Sequence, residues 1–182
     1  MDHGTSDQAL EILLSRYEIE QRLGQLASEI TKEYHGRIPH LVGILKGAWV
    51  FMADLIRHMD IELTVDFLGI TSYNSGTSSS GEVRITKDLD TSIKGREVLI
   101  VEDILDTGRT LKYLQDVLSV HKPHNLRVVT LLDKRSRRIV PVKADYVGFE
   151  IADVFVVGYG LDFDQKYRQL PDIHVLRAEH SR

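Results

Sequence analysis

The chain has 182 residues and is 42% hydrophobic, enough to bury the core of one domain of ordinary size. Lysine and arginine number 23 against 27 acidic residues, so the formal net charge is −4 and the positive excess typical of nucleic-acid-binding proteins is missing. There is no cysteine, which excludes disulfides, zinc–thiolate sites and cysteine nucleophiles.

The sequence contains no pattern typical of a signal peptide or of a membrane-spanning segment. Residues 1–8 are polar and lack the apolar core of a signal peptide, and no apolar stretch is long enough to cross a bilayer. We therefore expect a cytoplasmic protein with no membrane partner.

The first predicted element is a helix. Ser15 and Glu18 have the spacing of a capping box, so a helix from about residue 15 to 34 is predicted. Apolar residues then recur at helical spacing: Ile19, Leu23, Leu26 and Ile30.

A strand, a turn and a second helix come next. Residues 41–45 form an apolar run that predicts a buried strand, Lys46 and Gly47 make a turn, and 48–59 predict a helix. Its buried face is expected to carry Trp49, Met52, Leu55 and Ile56. Residues 61–70 predict the following strand.

The segment 74–81, Asn-Ser-Gly-Thr-Ser-Ser-Ser-Gly, interrupts this pattern. Its small polar residues cannot join a core, so a flexible loop over about residues 72–86 is predicted. Val83 and Ile85 then predict the returning arm of a hairpin.

Residues 98–110 are the most informative stretch of the chain. A buried strand is predicted to end at Val101, and the carboxylates of Glu102, Asp103 and Asp106 follow. Thr107–Thr110 then opens a segment with helical spacing, and a helix N-terminus with small residues offers free N–H groups to a phosphate. Adjacent buried acids need partners such as sugar hydroxyls or Mg²⁺. The stretch therefore predicts a ligand with a phosphate, a polyol and a divalent cation. The simpler alternative is an ordinary helix start with Asp106 as N-cap.

The remaining elements complete an alternation of strands and helices, with further strands predicted at about 126–132, 146–149 and 155–157. Such alternation implies a mainly parallel sheet, whose strands end at one common edge. Candidate residues follow several strand ends: Lys46 and Gly47, the acids of 102–106, and a basic cluster at 134–138. Taken singly, the simpler interpretation of Lys46 and of the basic cluster is a solvated surface group, and that of Phe155 is a core residue.

The stretch 98–110 resembles the phosphoribosyl pyrophosphate signature of type I phosphoribosyltransferases. From about Leu10 to Leu176 the chain is similar to the hypoxanthine (hypoxanthine-guanine) phosphoribosyltransferases of that family. Further segments support the resemblance: 45–49, 72–73, 131–135, 145–150 and 155–162. It implies an α/β fold with a mainly parallel central sheet flanked by helices, a small hood and a flexible loop, all within one domain over 1–182.

The resemblance implies roles for the acidic stretch. Glu102 and Asp103 would bind the ribose hydroxyls directly or through water on Mg²⁺. Asp106 would face N7 of a purine as general acid and base. The 5′-phosphate would be held by Asp106, Thr107, Gly108, Arg109 and Thr110.

Other residues would hold the purine and the pyrophosphate. Lys134 would donate to O6 of the base, Phe155 would stack on the ring, and the backbone of Val156 would read its edge. Asp162 would border the purine site and hold a second Mg²⁺. The pyrophosphate would meet Arg168 and the loop of Lys46 and Gly47, in which relatives have a cis peptide bond. Ser72 and Tyr73 would begin a loop that closes over the reaction centre.

The expected activity is Mg²⁺-dependent transfer of the phosphoribosyl group from phosphoribosyl pyrophosphate to a 6-oxopurine, which is purine salvage. Hypoxanthine, and also guanine, would give IMP or GMP and pyrophosphate, and a homodimer or homotetramer is expected. Two alternatives stay open: a xanthine-preferring transferase, and a non-catalytic regulator on the same fold. The regulator would bind nucleic acid, which the net charge of −4 disfavours.

Overall fold

The computed structural model describes residues 10–72 and 83–177. The helices are α1 (Arg16–Glu33), α2 (Trp49–Arg57) and α3 (Arg109–Val120), with a short 3-10 turn at Arg135–Arg137. The strands are β1 (Leu10–Leu14), β2 (Pro39–Leu45), β3 (Thr64–Ser72), β4 (Val83–Lys87), β5 (Glu97–Leu105), β6 (Asn125–Asp133), β7 (Tyr146–Glu150), β8 (Val156–Val157) and β9 (Ile173–Leu176).

A six-stranded sheet in the order β4-β3-β2-β5-β6-β7 forms the centre of the fold. β2, β3, β5, β6 and β7 pair in parallel, and β4 pairs antiparallel with β3. The predicted mainly parallel sheet and the hairpin arm at Val83 and Ile85 are confirmed. The carboxyl ends of the parallel strands therefore meet at one edge of the sheet.

A second, three-stranded sheet in the order β1-β9-β8 forms the hood. β9 pairs antiparallel with both neighbours, and Leu10 lies opposite Leu176. No strand was predicted for β1 or β9, because each gains its partner from the opposite end of the described chain.

The core lies on both faces of the central sheet. On one face α1 buries Ile19, Leu23, Leu26 and Ile30, as the spacing predicts. On the other face α3 buries Leu111, Leu114 and Leu118. None of the helices within residues 10–72 and 83–177 combines the length and the apolar character needed to span a membrane.

Helix α1 begins as predicted. The Ser15 hydroxyl accepts a hydrogen bond from the backbone N–H of Glu18, whose carboxylate accepts one from the backbone N–H of Ser15. Helix α2 differs from the prediction, because its buried face is formed by Phe51, Met52 and Leu55 while Trp49 is 50% exposed. Trp49 is the first helical residue and lies at the margin of the buried stripe.

Two strand boundaries also differ. β5 continues to Leu105, beyond the predicted end at Val101, because its ladder with β6 runs on through Glu102 to Leu105. Glu102 and Asp103 are therefore strand residues instead of loop residues. β3 begins at Thr64, later than predicted, where its pairing with β2 starts.

Candidate active site

A cavity of ≈ 270 Å³ lies at the carboxyl edge of the central sheet. The ends of β2, β3 and β5 border it, together with β4 and the first turn of α3. Its polar lining comprises Gly47, Glu102, Asp103, Asp106, Thr107, Gly108 and Thr110. The tertiary fold thus brings the acidic stretch and the β2 turn into one pocket.

Among the groups that line this cavity, Glu102 and Asp103 have the most strongly shifted pKa values. Glu102 is buried, and its Oε2 has no hydrogen-bond partner among the described residues. Burial, and then the charge of Asp103, raises the pKa of Glu102 well above its usual value. Burial also raises the pKa of Asp103 to about 6, against the opposing effects of the hydrogen bond from the Ile104 backbone and of the Arg168 charge. Their oxygens would be satisfied by sugar hydroxyls or a hydrated cation.

The turn after β2 packs tightly against this pair. The Leu45–Lys46 peptide bond is cis. A Cβ atom built on Gly47 would lie 1.6 Å from Asp103 Oδ2, so only glycine fits there. The Lys46 ammonium donates to Gln165 Oε1 at 3.2 Å, which links this turn to the loop that follows β8.

The turn before α3 is built around Gly108, which is the N-cap at φ +86°. The alternative of Asp106 as N-cap is therefore wrong. The backbone N–H groups of Thr107 and Gly108 donate to no other residue in the described ranges, and that of Arg109 reaches the Thr107 hydroxyl only at 3.4 Å. These donors and the helix N-terminus can bind an anion such as a phosphate.

Asp106 follows β5 directly and borders the cavity. Arg137 Nε lies 3.0 Å from Asp106 Oδ1, although its N–H is not aligned for a hydrogen bond. The same guanidinium contacts Asp153 Oδ1 at 3.3 Å. Asp106 is thus a partly exposed carboxylate with a cation on one side.

Lys134 directly follows the neighbouring strand, β6, and the residue is only 6% exposed. Its backbone N–H donates to the Leu105 carbonyl at 2.9 Å, which places it beside the end of β5. Its ammonium group has no hydrogen bond or ion pair within the described part of the chain. An ammonium group without a protein partner at this position can serve a carbonyl acceptor on a ligand.

Phe155 and Val156 belong to the hood and not to the central sheet. Phe155 is 51% exposed and meets Phe163 edge to face, with 5.6 Å between ring centroids. Val156 is buried and pairs with Val175 in the hood sheet. An exposed ring fixed by a second ring can stack on a planar ligand.

Asp162 and Arg168 form an ion pair in the loop after β8. Arg168 Nη2 lies 2.7 Å from Asp162 Oδ1, and Arg168 Nη1 donates to the Gly160 carbonyl at 2.7 Å. The Gln165 backbone N–H donates to Asp162 Oδ2 at 2.8 Å. Within the described ranges no group of three or more Asp, Glu or His side chains is placed to hold one ion, although the charge of Asp162 contributes to the raised pKa of Asp103.

The predicted closing loop is only partly described. Ser72 ends β3, whereas Tyr73 and most of the loop lie outside the described residues. Sequence reasoning missed Arg137, which belongs to the basic cluster of 134–138 and was interpreted as part of a solvated patch. Only its spacing of three residues from Lys134 could have indicated a role.

The chain matches the family of the phosphoribosyl transferase domain over residues 10–164. It is 52% identical over 167 residues to the hypoxanthine-guanine phosphoribosyltransferase of Bacillus subtilis, covering 92% of this chain and 93% of that protein. Identity to the enzyme of that name from Lactococcus lactis is 51% over 174 residues, covering 95% and 94%. The crystal structure of a hypoxanthine phosphoribosyltransferase from Staphylococcus aureus superimposes with a TM-score of 0.89 at 46% identity, covering 97% of each chain.

Proposed function

The chain belongs to the phosphoribosyl transferase family, and we propose that it transfers the phosphoribosyl group of phosphoribosyl pyrophosphate to N9 of hypoxanthine, and also of guanine. The products are IMP or GMP and pyrophosphate. The observation on which this proposal depends is the cavity, which is lined by Glu102 and Asp103 together with Thr107 and Gly108 of the turn before α3. Two relatives that carry the name of this activity also support the proposal. They are 52% and 51% identical to this chain, and the match covers 93% and 94% of their length.

The sugar end of the substrate fits the cavity by its chemistry. The N–H groups of Thr107 and Gly108 and the N-terminus of α3 bind the 5′-phosphate, because they lack partners in the described protein. Glu102 and Asp103 accept hydrogen bonds from the ribose hydroxyls. These interactions relieve the cost of keeping two adjacent carboxylates partly dehydrated.

The pyrophosphate end lies between two elements that meet at Asp103. The turn of Lys46 and Gly47 presents backbone and an ammonium group, and Arg168 adds a guanidinium. Both cations contact the loop after β8, since the Lys46 ammonium donates to Gln165 and Arg168 donates to the Gly160 carbonyl. The charge of Arg168 also lowers the pKa of Asp103, against the larger effect of burial.

We propose Mg²⁺ as the metal of the reaction. The residues fit it, because Glu102 and Asp103 offer hard oxygen donors, one of them without a hydrogen-bond partner among the described residues. When bound, the cation neutralises charge that builds on the leaving pyrophosphate. Asp162 is a second candidate ligand, which would have to share its carboxylate with Arg168.

The purine is held from three sides. Lys134 donates to O6, Phe155 stacks on the ring, and Asp106 takes the proton from N7 as N9 attacks C1 of the ribose. A donor at O6 selects 6-oxopurines over adenine, whose 6-amino group is itself a donor.

A panel of four bases tests this assignment. Purified protein, Mg²⁺ and phosphoribosyl pyrophosphate are mixed with hypoxanthine, guanine, xanthine or adenine, and nucleotide formation is followed by absorbance. We expect rapid IMP and GMP formation and no AMP. Preferred use of xanthine would replace the proposed substrate, and no nucleotide from any base would overturn the activity. Sedimentation of the same sample tests the expected homodimer or homotetramer.

A further inference from the structure

Among the residues that the structure describes, Arg137 is the one that forms an ion pair with the proposed general base, Asp106. Its Nε lies 3.0 Å from Asp106 Oδ1. We infer that Arg137 is a positioning residue, which holds one oxygen of Asp106 and leaves the other directed at the purine. This inference rests on the proposed function, because it concerns the proton taken from N7.

The two oxygens of Asp106 have different surroundings. Oδ1 is buried and has no hydrogen-bond partner in the described ranges, whereas the side chain as a whole is 37% exposed. Oδ2 is therefore the oxygen left to meet a ligand. A buried carboxylate oxygen without a hydrogen bond is unfavourable unless a charge compensates it, and Arg137 supplies that charge.

Arg137 is held in place from its other side. Its Nη1 contacts Asp153 Oδ1 at 3.3 Å, and Asp153 precedes the hood strand β8. The guanidinium thus spans two carboxylates from separate segments, which restricts its rotamers. Asp106 is thereby tied both to the hood and to the turn that carries Arg137.

The same short turn carries the proposed purine-binding lysine. The Arg137 backbone N–H donates to the Lys134 carbonyl at 3.1 Å. A displacement of this turn therefore moves Lys134 and Arg137 together. The turn thereby links the O6 donor to the cation that contacts the N7 base, which aids orientation of the purine for attack.

A purely structural role for Arg137 is the competing explanation. Its side chain is 46% exposed and its two partners are 37% and 51% exposed, and ion pairs with that exposure contribute little to stability. Arg135 provides a matched control. It lies on the same turn and also contacts two carboxylates, those of Asp133 and Glu150, but it does not contact Asp106.

The test is a double-mutant cycle between Arg137→Gln and Asp106→Asn, with Arg135→Gln as control. For each variant kcat, the KM for hypoxanthine, the KM for phosphoribosyl pyrophosphate and the melting temperature are measured. We expect Arg137→Gln to lower kcat about tenfold with both KM values within about twofold of wild type. In the Asp106→Asn background the same change should lower kcat by less than about twofold, because the group it positions is gone. Arg137→Lys should recover part of the loss.

Each other result counts against the inference. Equal losses in both backgrounds would mean that Arg137 acts independently of Asp106. A loss matched by Arg135→Gln, or accompanied by a matching fall in melting temperature in both Arg137→Gln and Arg137→Lys, would show a structural role. Normal kcat for Arg137→Gln would overturn the inference while leaving the proposed function intact, whereas a wild-type protein that makes no nucleotide would overturn both.

Discussion

The carboxylate of Asp103 lies against the backbone of Gly47, so closely that a Cβ atom at residue 47 would be 1.6 Å from Asp103 Oδ2. Gly47 lies in the turn after β2 and Asp103 near the end of β5, and these two strands are adjacent and parallel. On the other side, a Cβ atom built on Gly160 would lie 2.4 Å from the Gly47 carbonyl oxygen. Three segments therefore meet at Gly47 with no space for a side chain.

Gly47→Ala is expected to damage the site more than the fold. The added methyl group must displace Asp103 or the β2 turn, and a displacement of about 1 Å in such a site can cost a hundredfold in rate. We expect kcat/KM to fall by about a hundredfold and the free energy of unfolding to fall by about 1–3 kcal/mol. Activity assays and urea denaturation measure the two effects.

Gly24→Ala is the matched control for that change. Gly24 lies inside α1 with nothing within 4 Å of a built Cβ atom. Alanine there should raise the free energy of unfolding by about 0.5–1 kcal/mol without altering turnover. If both substitutions behaved alike, the close approach of Gly47 to Asp103 would not matter to the enzyme.

The pH dependence of stability should reveal the cost of ionising Asp103. Its pKa is raised to about 6 in the folded protein, chiefly by burial, and is about 3.9 in an unfolded chain. The folded state therefore binds the proton more tightly, so this group lowers the free energy of unfolding as pH rises from about 4 to 6. Glu102, whose pKa is also raised, acts in the same direction.

Asp103→Asn removes that contribution, since asparagine cannot ionise, and it also removes the charge that raises the pKa of Glu102. Without divalent cations we expect the variant to be more stable than wild type at pH 7, by up to about 3 kcal/mol, and the difference to shrink as pH falls below about 6. Urea denaturation at pH 5 and pH 7 measures it. Added Mg²⁺ should stabilise wild type more than the variant. A difference that does not change with pH would contradict the raised pKa.

Lys134→Met tests the proposed donor to O6. Methionine keeps the length of the side chain, so the expected loss is that of one charge-assisted hydrogen bond, about 1.5–3 kcal/mol. The KM for hypoxanthine should rise about 10- to 150-fold while the KM for phosphoribosyl pyrophosphate stays unchanged. The melting temperature should not fall, because the ammonium group has no protein partner among the described residues to lose. An equal rise in both KM values would place Lys134 elsewhere in the mechanism.

Asp106→Asn tests the proposed general base. Asparagine keeps the shape of the side chain but cannot take a proton from N7, and general-base assistance contributes about 10²–10⁴-fold to a rate. We expect kcat to fall within that range while titration calorimetry gives nearly unchanged affinity for phosphoribosyl pyrophosphate. Parallel losses of turnover and affinity would show that Asp106 only binds substrate.

Local features of this chain could be predicted with good accuracy. The capping box of Ser15 and Glu18 sets the start of α1, because both partners lie within one helical turn. The end of β5 was predicted too early, because its true end depends on pairing with a strand that is distant in the chain. Glu102 and Asp103 interrupt the apolar run, yet their backbones stay in the ladder with β6, a strand more than twenty residues away in the chain.

The sequence by itself determined the alternation of strands and helices, and it placed acidic, hydroxyl and glycine residues together in 102–110. Periodicity, capping and turn chemistry act between near neighbours, so they can be read from the order of residues. Tertiary structure alone decided that β1 pairs with β9, that Asp103 lies against Gly47, and that Arg137 reaches Asp106. Those contacts join residues distant in the chain, and they form because packing the whole core leaves their backbones only one arrangement.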